Sequence, residues 1–256
     1  MKITFLGTGT SQGVPVIGCE CEVCQSNDAR DQRLRTSAMI EWKGKTIIID
    51  AGPDFRQQLL REKVTDVDAI LVTHEHNDHV IGMDDVRPLN FKHQKSMPVY
   101  AEERVRKELK ERFAYIFAEN PYPGAPRLTL EDIKAGENIA IADLTIQPIR
   151  AWHGNLPVFG FRFGDFTYLT DVNRIEETEL AKVKGTKILV LDALHHSKHH
   201  AHFNLEEALA LIEKLQPEQA FLIHISHRMG LTGKVNAILP ENVRLAYDRQ
   251  VLEIKE

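Results

Sequence analysis

Long apolar runs, basic blocks and cysteines are scarce or missing in this sequence of 256 residues. No apolar stretch approaches the roughly 20 residues that span a bilayer, and the N-terminus lacks the pattern of a signal peptide. Lys and Arg are scattered and the net charge is −5, which argues against a large nucleic-acid footprint, because such footprints need clustered cations. We therefore predict a cytoplasmic protein with neither a membrane partner nor a polynucleotide partner.

The length and composition predict one compact domain. With 43% hydrophobic residues, a chain of this length can bury a large core. The sequence has no low-complexity linker and no fixed-period repeat. Buried-type strands that run into His-rich loops occur in both halves, at 68–74 and at 187–192. We predict a single domain over residues 1–256, built from two similar halves.

A dense group of metal-ligating side chains follows the apolar run at 69–72. His74, His76, Asp78 and His79 lie within one short segment. His-x-His places two rings on the same side of an extended backbone, and Asp-His follows a turn later, so one loop can ligate two ions. Imidazole nitrogen and carboxylate oxygen suit zinc, manganese, iron or nickel. A solvated His-rich loop is the alternative, but the preceding strand favours a metal site.

Two ions need more ligands than this loop supplies, and three further positions qualify. His153, Asp171 and His224 each stand at the end of a predicted strand. Any one of them alone would be interpreted as a turn residue or a hydrogen-bond partner. Together, and in this order, they form one set of candidate ligands.

This order of ligands resembles the metallo-β-lactamase fold superfamily over nearly the whole chain. The resemblance implies an α+β fold, the αβ/βα four-layer sandwich, in which two mixed β-sheets are flanked by helices. It implies that Asp50, at the end of the apolar run 46–49, orients the metal-binding loop from behind the ligands. It also implies two metal sites: His74, His76 and His153 hold one ion, Asp78, His79 and His224 hold the other, and Asp171 bridges them.

All three cysteines stand close together near the N-terminus, in a Cys-rich loop near 19–24. Cys19, Cys21 and Cys24 offer three thiolates to one ion, but a closed tetrahedral zinc site needs a fourth ligand. His227, three residues after His224, is our candidate for that ligand. Free thiols, or a disulfide between two of them, are the alternative.

The opening pattern at 7–15, the Cys-x-Cys-x-x-Cys cluster and the final His-Ile-Ser-His together resemble the PhnP-type phosphodiesterases, which hydrolyse a phosphoribosyl cyclic phosphate. This resemblance implies a dinuclear active site, often loaded with manganese, and a separate structural zinc held by Cys19, Cys21, Cys24 and His227. It also implies that His202 protonates the leaving oxygen. Dimers are common in the superfamily, so a homodimer is expected.

The choice of His202 rests on its place before a predicted helix. Asn204 and Glu207 form the pattern of a capping box, so His202 would lie on the loop that enters this helix. The segment is richer in histidine than the family pattern, and the general acid could be another member of it. We expect the neighbouring rings to be solvent-exposed: His195, His196, His199 and His200.

Two more features bear on the substrate. The pattern at 103–117 predicts an amphipathic helix, and the Pro-rich loop at 120–126 is expected to cover one edge of the site. A few arginines could reach a substrate phosphate, but the expected role of each is a surface salt bridge: Arg30, Arg33, Arg35 and Arg87.

The predicted function is hydrolysis of a small phosphodiester, a cyclic ribose or nucleotide phosphate. A hydroxide that bridges two divalent ions, Mn or Zn and possibly Ni or Fe, attacks phosphorus; Asp78 orients it and His202 protonates the leaving group.

Five alternatives stay open. A ribonuclease Z-like nuclease would need a Gly- and Pro-rich tRNA-binding arm, which the sequence lacks. A glyoxalase II-type thioesterase or a β-lactamase would have no use for the Cys cluster. A diiron flavoprotein would need an appended flavin domain. A non-enzymatic metal-binding protein would have no need of His153 and Asp171.

Overall fold

The computed structural model describes residues 1–254. The chain divides into two compact units. The first unit contains residues 1–6, 37–134 and the described residues from 251 onward, and the second contains residues 7–36 and 135–250. One domain over residues 1–256 stays a prediction.

The first unit is built on a mixed sheet of seven strands in the order β14-β1-β2-β3-β4-β5-β6. β3, β4, β5 and β6 are parallel, while β2 pairs with β3, and β14 with β1, in antiparallel fashion. The strands are β1 (Lys2–Gly7), β2 (Ser37–Trp42), β3 (Lys45–Ile49), β4 (Ala69–Leu71), β5 (Met97–Ala101), β6 (Leu128–Asp132) and β14 (Val251–Glu253). The helices are α1 (Phe55–Arg61), α2 (Asn77–Val80), a 3-10 helix at Ile81–Val86, α3 (Arg87–His93) and α4 (Glu103–Arg112).

The second unit has its own mixed sheet of seven strands, in the order β13-β12-β11-β10-β9-β8-β7. β8 and β9 form an antiparallel hairpin, and β10 to β13 run parallel. The strands are β7 (Ile139–Ile141), β8 (Leu144–His153), β9 (Leu156–Phe163), β10 (Phe166–Leu169), β11 (Ile188–Asp192), β12 (Gln219–Ile223) and β13 (Val243–Leu245). The helices are α5 (Glu177–Val183), α6 (Leu205–Leu215), α7 (Thr232–Asn236) and 3-10 turns at Ala29–Asp31 and His227–Met229.

Two mixed sheets with flanking helices confirm the predicted fold class. The parallel strands are continuous apolar runs because both faces of such a strand are covered. In the first unit Ile47, Ile48 and Ile49 are fully buried, and in the second Leu189, Val190 and Leu191 are. Each unit has its own apolar core. None of the helices among residues 1–254 is both long and apolar enough to cross a membrane.

The sheet registers bring the chemically important residues to one edge of each sheet. Ile49 pairs with Leu71, so Asp50 and the loop after β4 leave the first sheet side by side. Leu169 pairs with Leu191, and Asp192 pairs with Ile223, so the residues that follow β10, β11 and β12 do the same in the second sheet. The carboxyl edge of parallel strands is where α/β proteins commonly place their functional groups.

Two sequence predictions are wrong in detail. The helix predicted over 103–117 ends at Arg112. Its apolar face is as predicted, but Phe113 and Ile116 are buried through a turn, closed by a hydrogen bond of 2.8 Å from Ile116 N to Phe113 O. Arg33 is buried rather than at the surface, because its guanidinium donates to Thr8 Oγ1 and Thr232 Oγ1 at 2.8 and 2.9 Å.

Candidate metal sites

In the first unit, Asp50 supports the loop after β4 from behind. Its buried carboxylate accepts hydrogen bonds from Thr73 N (2.8 Å), Thr73 Oγ1 (2.9 Å) and His79 Nδ1 (2.7 Å). Burial raises the pKa of Asp50, and these donors act against that rise. Because His79 uses Nδ1 as a donor, its Nε2 is the nitrogen that can bind a metal.

The four predicted ligands of this loop lie close together. His74 Nε2 and His76 Nδ1 are 2.9 Å apart, and His79 Nε2 is 3.3 Å from Asp78 Oδ2. The rings of His74 and His79 have centroids 4.2 Å apart. Such a cluster of imidazole nitrogen and carboxylate oxygen is the donor chemistry that first-row transition metals prefer. The loop therefore fits the ions that the sequence predicts.

Two glycines allow this loop to pack closely against the chain after β3, and sequence inspection missed both. A Cβ on Gly52 would lie 1.9 Å from Asp78 O, and one on Gly82 would lie 2.0 Å from Gly52 O. Ala51 also holds the loop, since it donates to His79 O and accepts from Gly82 N. Only glycine allows so close an approach of two backbones.

Helix α4 fixes the loop from the other side. Arg104 pairs with the carboxylate of Glu75. Arg112 donates to Glu75 O at 2.5 Å and to Asn77 Oδ1 at 2.7 Å. The residues that stand between the ligands thus fix the backbone of the loop through α4.

In the second unit, three predicted ligands follow three strands. His153 ends β8 and donates from Nδ1 to Ala201 O at 2.8 Å. His224 Nε2 lies 3.2 Å from Asp171 Oδ1, and Thr170 Oγ1 donates to Asp171 Oδ2 at 2.7 Å. Burial lowers the pKa of His153, which favours the neutral imidazole that a metal requires.

Asp50, Asp171 and His224 share an uncommon backbone conformation. Their φ angles are +64°, +56° and +58°, the left-handed region that non-glycine residues seldom occupy. Each follows the end of a buried strand and turns the chain sharply there. Strain of this kind tends to collect at functional sites, because the surrounding structure must hold it in place.

His202 lies among these ligands. Its ring stacks on that of His224, with centroids 4.7 Å apart and an angle of 14°, and its centroid is 4.5 Å from that of His153. One potential ligand atom from each of His153, Asp171 and His202 lies within 4.8 Å of the other two. The loop that carries His202 enters α6, whose capping box of Asn204 and Glu207 is formed as predicted.

Asp192 is the residue of this cluster that sequence inspection missed. It is fully buried at the end of β11, and its Oδ2 accepts hydrogen bonds from His202 Nδ1 at 2.9 Å and from Val172 N at 3.0 Å. Its other oxygen lies 3.8 Å from His224 Nδ1. An acidic residue after an apolar run is the signal that identifies Asp50, and it applies equally to Asp192.

The prediction of exposed rings around His202 is wrong for His195. His195 is buried, and its backbone carbonyl accepts a hydrogen bond from Leu205 N, the first residue of α6, at 2.9 Å. His199 is half-buried, with its ring 5.1 Å from that of His202, and burial lowers its pKa to about 4. His196 and His200 are exposed, as predicted.

The cysteine cluster lies within the second unit. Sγ of Cys19, Cys21 and Cys24 lies 3.2, 3.4 and 3.6 Å from Nδ1 of His227, respectively. No disulfide links the three cysteines. The four donor atoms lie within 4.8 Å of one another, and three sulfurs with one imidazole fit a closed tetrahedral zinc site.

The amide of Cys24 and the apolar surroundings act on the thiols in opposite ways. Cys24 N donates to Cys21 Sγ, and this bond is the main cause that lowers the pKa of Cys21 to about 6. Burial raises the pKa of the Cys24 thiol to about 11. Cys24 packs with Val14 and Val23. The cluster therefore joins one exposed and readily ionised thiol to one that is buried.

Comparison with known proteins agrees with this geometry. Residues 45–225 match the family model of a β-lactamase superfamily domain. A crystal structure described as a new diphosphatase from the PhnP family is 39% identical, with a TM-score of 0.92, and the alignment covers 99% of this chain and 98% of that one. The chain belongs to the PhnP family of the β-lactamase superfamily. This fold implies divalent metal ions, and both donor sets described above fit them.

Two other relatives broaden the picture. An octanoyltransferase of Porphyromonas gingivalis is 41% identical over 250 residues, which is 97% of this chain and 50% of that protein. This PhnP-family chain thus spans half the length of that relative. Zinc-bound PqqB of Methylobacterium extorquens has a TM-score of 0.82 at 16% identity, with 99% of this chain and 100% of that one covered. At that identity the likeness shows the fold alone.

Proposed function

We propose that this protein is a metal-dependent phosphodiesterase that hydrolyses a small phosphate ester. The observation that carries the proposal is the position of His202, which Asp192 holds at 2.9 Å and whose ring packs against His153 and His224. A hydrolase that breaks a P–O bond needs a proton donor beside its metal ligands, and His202 fits that need. Membership of the PhnP family supports the same reaction class.

The ligand assignment from the sequence is carried forward as part of this proposal. The candidate ligands supply imidazole nitrogen and carboxylate oxygen alone, a donor set suited to manganese or zinc. One ion is assigned to His74, His76 and His153, the second to Asp78, His79 and His224, and Asp171 to a bridging position. Asp50 fixes the tautomer of His79.

Bound divalent ions would lower the pKa of a coordinated water and stabilise negative charge on the phosphate. The protein's own groups supply the proton transfers. The Asp78 carboxylate accepts a hydrogen bond from the attacking water and so orients it. Asp192 keeps the proton on Nδ1 of His202, which leaves Nε2 to deliver a proton to the leaving oxygen as the P–O bond breaks. The leaving oxygen thus departs as a neutral hydroxyl instead of as an alkoxide.

The substrate we propose is a cyclic ribose phosphate or a cyclic nucleotide. Its alkoxide leaving group is poor, so protonation by a general acid accelerates its departure. The relative named octanoyltransferase is twice as long as the match, so its name does not assign a transferase reaction to the matched half. An octanoyl thioester therefore serves as a control substrate, and a tRNA precursor serves as another.

The test compares two leaving groups. Purified protein is stripped and reloaded separately with manganese, zinc and nickel, and assayed with bis(p-nitrophenyl) phosphate and with 2′,3′-cyclic AMP. We expect metal-dependent turnover of both. His202→Ala should lower turnover of the cyclic nucleotide by about 10²-fold or more and spare the nitrophenyl ester, because p-nitrophenolate leaves without a proton.

The matched control is His196→Ala, which removes an exposed ring of the same loop, one whose Nε2 lies 2.9 Å from Met229 O. It should leave both rates unchanged. An equal fall in the turnover of both substrates in His202→Ala would indicate damage to the metal site instead. The proposal would be overturned if the protein hydrolysed neither ester with any metal but cleaved the thioester or the tRNA.

We also propose that Cys19, Cys21, Cys24 and His227 hold a structural zinc. Zinc counted before and after mild chelation should show about one ion per chain that resists removal. Cys24→Ser should abolish that ion and lower the unfolding temperature, while the ions of the other site remain. The small phosphate ester as partner, the homodimer and the cytoplasmic location stay predictions.

A further inference from the structure

Asn173 joins two segments of the second unit that carry candidate catalytic groups. Its Oδ1 accepts a hydrogen bond at 2.9 Å from Gly154 N, in the turn that follows the candidate ligand His153. Its Nδ2 donates a hydrogen bond at 2.8 Å to His200 O, in the loop that carries His202. One amide side chain thus contacts both the turn after a metal ligand and the loop of the proton donor.

The backbone of Asn173 is held against the end of β8. Asn173 N donates to Trp152 O at 2.8 Å, and Trp152 N donates to Arg174 O at 2.9 Å. The two segments form an antiparallel bridge at this point, and Asn173 is half-buried. Its side chain therefore starts from a fixed backbone, so its two hydrogen bonds transmit that position to the groups they contact.

The loop that carries His202 is held on both sides of this residue by backbone groups. Ala201 O accepts a hydrogen bond from His153 Nδ1 at 2.8 Å, and Phe203 N donates one to Val172 O at 2.8 Å. The loop therefore lies along the ends of β8 and β10. These contacts fix the chain directly beside the imidazole.

Asn173 holds the peptide group through which the chain enters this part of the loop. The oxygen of the peptide group between His200 and Ala201 accepts from Asn173 Nδ2, and its N–H donates to His199 Nδ1 at 3.3 Å. The side chain of His200 is itself exposed. A misplacement of a reacting group by about 1 Å can lower a rate by about 10²-fold. A hydrogen bond that fixes the peptide before the proton donor can therefore affect turnover.

We propose that Asn173 is a positioning residue that aims the general acid His202 at the leaving oxygen, through the carbonyl of His200. This inference rests on the proposed phosphodiesterase function and adds one residue to its reaction. The two ends of the amide have different tasks. The donor Nδ2 serves proton transfer, whereas the acceptor Oδ1 holds the turn after the ligand His153.

Asn173→Asp separates these two tasks, because a carboxylate accepts hydrogen bonds but donates none. The variant keeps an acceptor for Gly154 N and loses the donor to His200 O. In the manganese-loaded protein, turnover of 2′,3′-cyclic AMP should fall by about tenfold or more, while turnover of bis(p-nitrophenyl) phosphate should change by less than about twofold. The count of bound manganese ions should match that of the unmodified protein.

Two further variants serve as controls. Asn155→Asp adds the same charge to an exposed residue of the turn between β8 and β9, and it should leave the ratio of the two turnover rates unchanged. Asn173→Ala removes both hydrogen bonds of the side chain. It should therefore bind manganese more weakly and lower the turnover of both substrates.

Hydrogen exchange tests the same contact without turnover. Measured by peptide mass spectrometry, the backbone amides of residues 199–203 should exchange faster in Asn173→Asp than in Asn155→Asp. Equal exchange in the two variants would overturn the proposed hold on the loop.

The outcomes separate this inference from the proposed function. If the unmodified protein hydrolyses both esters, an equal fall for both in Asn173→Asp, or no fall for either, overturns the positioning role alone. If the unmodified protein hydrolyses neither ester with any metal, the phosphodiesterase is rejected, and the role of Asn173 in proton transfer is rejected with it. A fall confined to the cyclic nucleotide, with faster exchange in the loop and unchanged manganese, supports both.

Discussion

His202 donates a hydrogen bond from Nδ1 to Oδ2 of the fully buried Asp192 at 2.9 Å. The same oxygen accepts from Val172 N at 3.0 Å, so the carboxylate cannot rotate without breaking two bonds. A carboxylate held in this way fixes both the tautomer and the orientation of an imidazole. In the proposed mechanism, Asp192 is therefore a positioning residue that acts on the substrate through His202.

Asp192→Asn should lower turnover of 2′,3′-cyclic AMP by about a hundredfold, because the amide keeps the shape but no longer favours the charged imidazole. For the same reason the alkaline limb of the pH–rate profile should move to lower pH. Turnover of bis(p-nitrophenyl) phosphate should change little. An unaltered pH profile together with a loss of bound metal would show that Asp192 serves the ligand His224 instead.

Gly52→Ala should destabilise the metal-binding loop, since the new Cβ would lie 1.9 Å from Asp78 O. Overpacking of this kind typically costs about 1–3 kcal/mol, and here the backbone itself must move. We expect a lower midpoint in urea unfolding and fewer bound active-site ions.

Gly233→Ala is the control, because its Cβ would meet only Arg30 Nη2 at 3.8 Å. It should be neutral or slightly stabilising within α7. Equal behaviour of the two variants would contradict the close approach at Gly52.

Removal of zinc should make Cys21 react with an alkylating reagent before Cys24. Cys21 is exposed with a pKa of about 6, so above that pH it is mostly the reactive thiolate. Cys24 is buried with a pKa of about 11, so it stays a thiol until the pH nears that value. Brief alkylation of the stripped protein at pH 7, followed by peptide mass spectrometry, measures both sites at once. The zinc-loaded protein should be protected at both. Equal labelling of the two thiols in the stripped protein would refute this order.

Much of the site could be predicted from the sequence because its signals are local. Asp50 and the loop from His74 to His79 each follow an apolar run, and the structure places the Asp50 carboxylate 2.7 Å from His79 Nδ1. The pattern Asn204 to Glu207 predicted a capping box, which forms. In these cases the interacting groups, or the strands that carry them, are recognisable within a few residues of chain.

Other features depended on contacts between distant parts of the chain. His195 looks like its exposed neighbours in sequence, but it is buried where the chain folds back to the start of α6 and its carbonyl accepts from Leu205 N. Arg33 looks like a surface cation, but Thr8 and Thr232 surround its guanidinium. The end of α4 at Arg112 also followed from packing, since Phe113 and Ile116 stay on the apolar face without the helix.

The sequence by itself determined the fold class, the family and the identity of the candidate ligands, because strand periodicity and ligand spacing are properties of the chain alone. The tertiary structure decided which groups support those ligands. Asp192 reaches His202 only because β11 lies beside β10 and β12 in register, and Gly52 matters only because the backbone of Asp78 lies against it. A hydrogen bond or a close backbone approach requires two parts of the chain at a defined distance, and sheet register and loop packing set that distance.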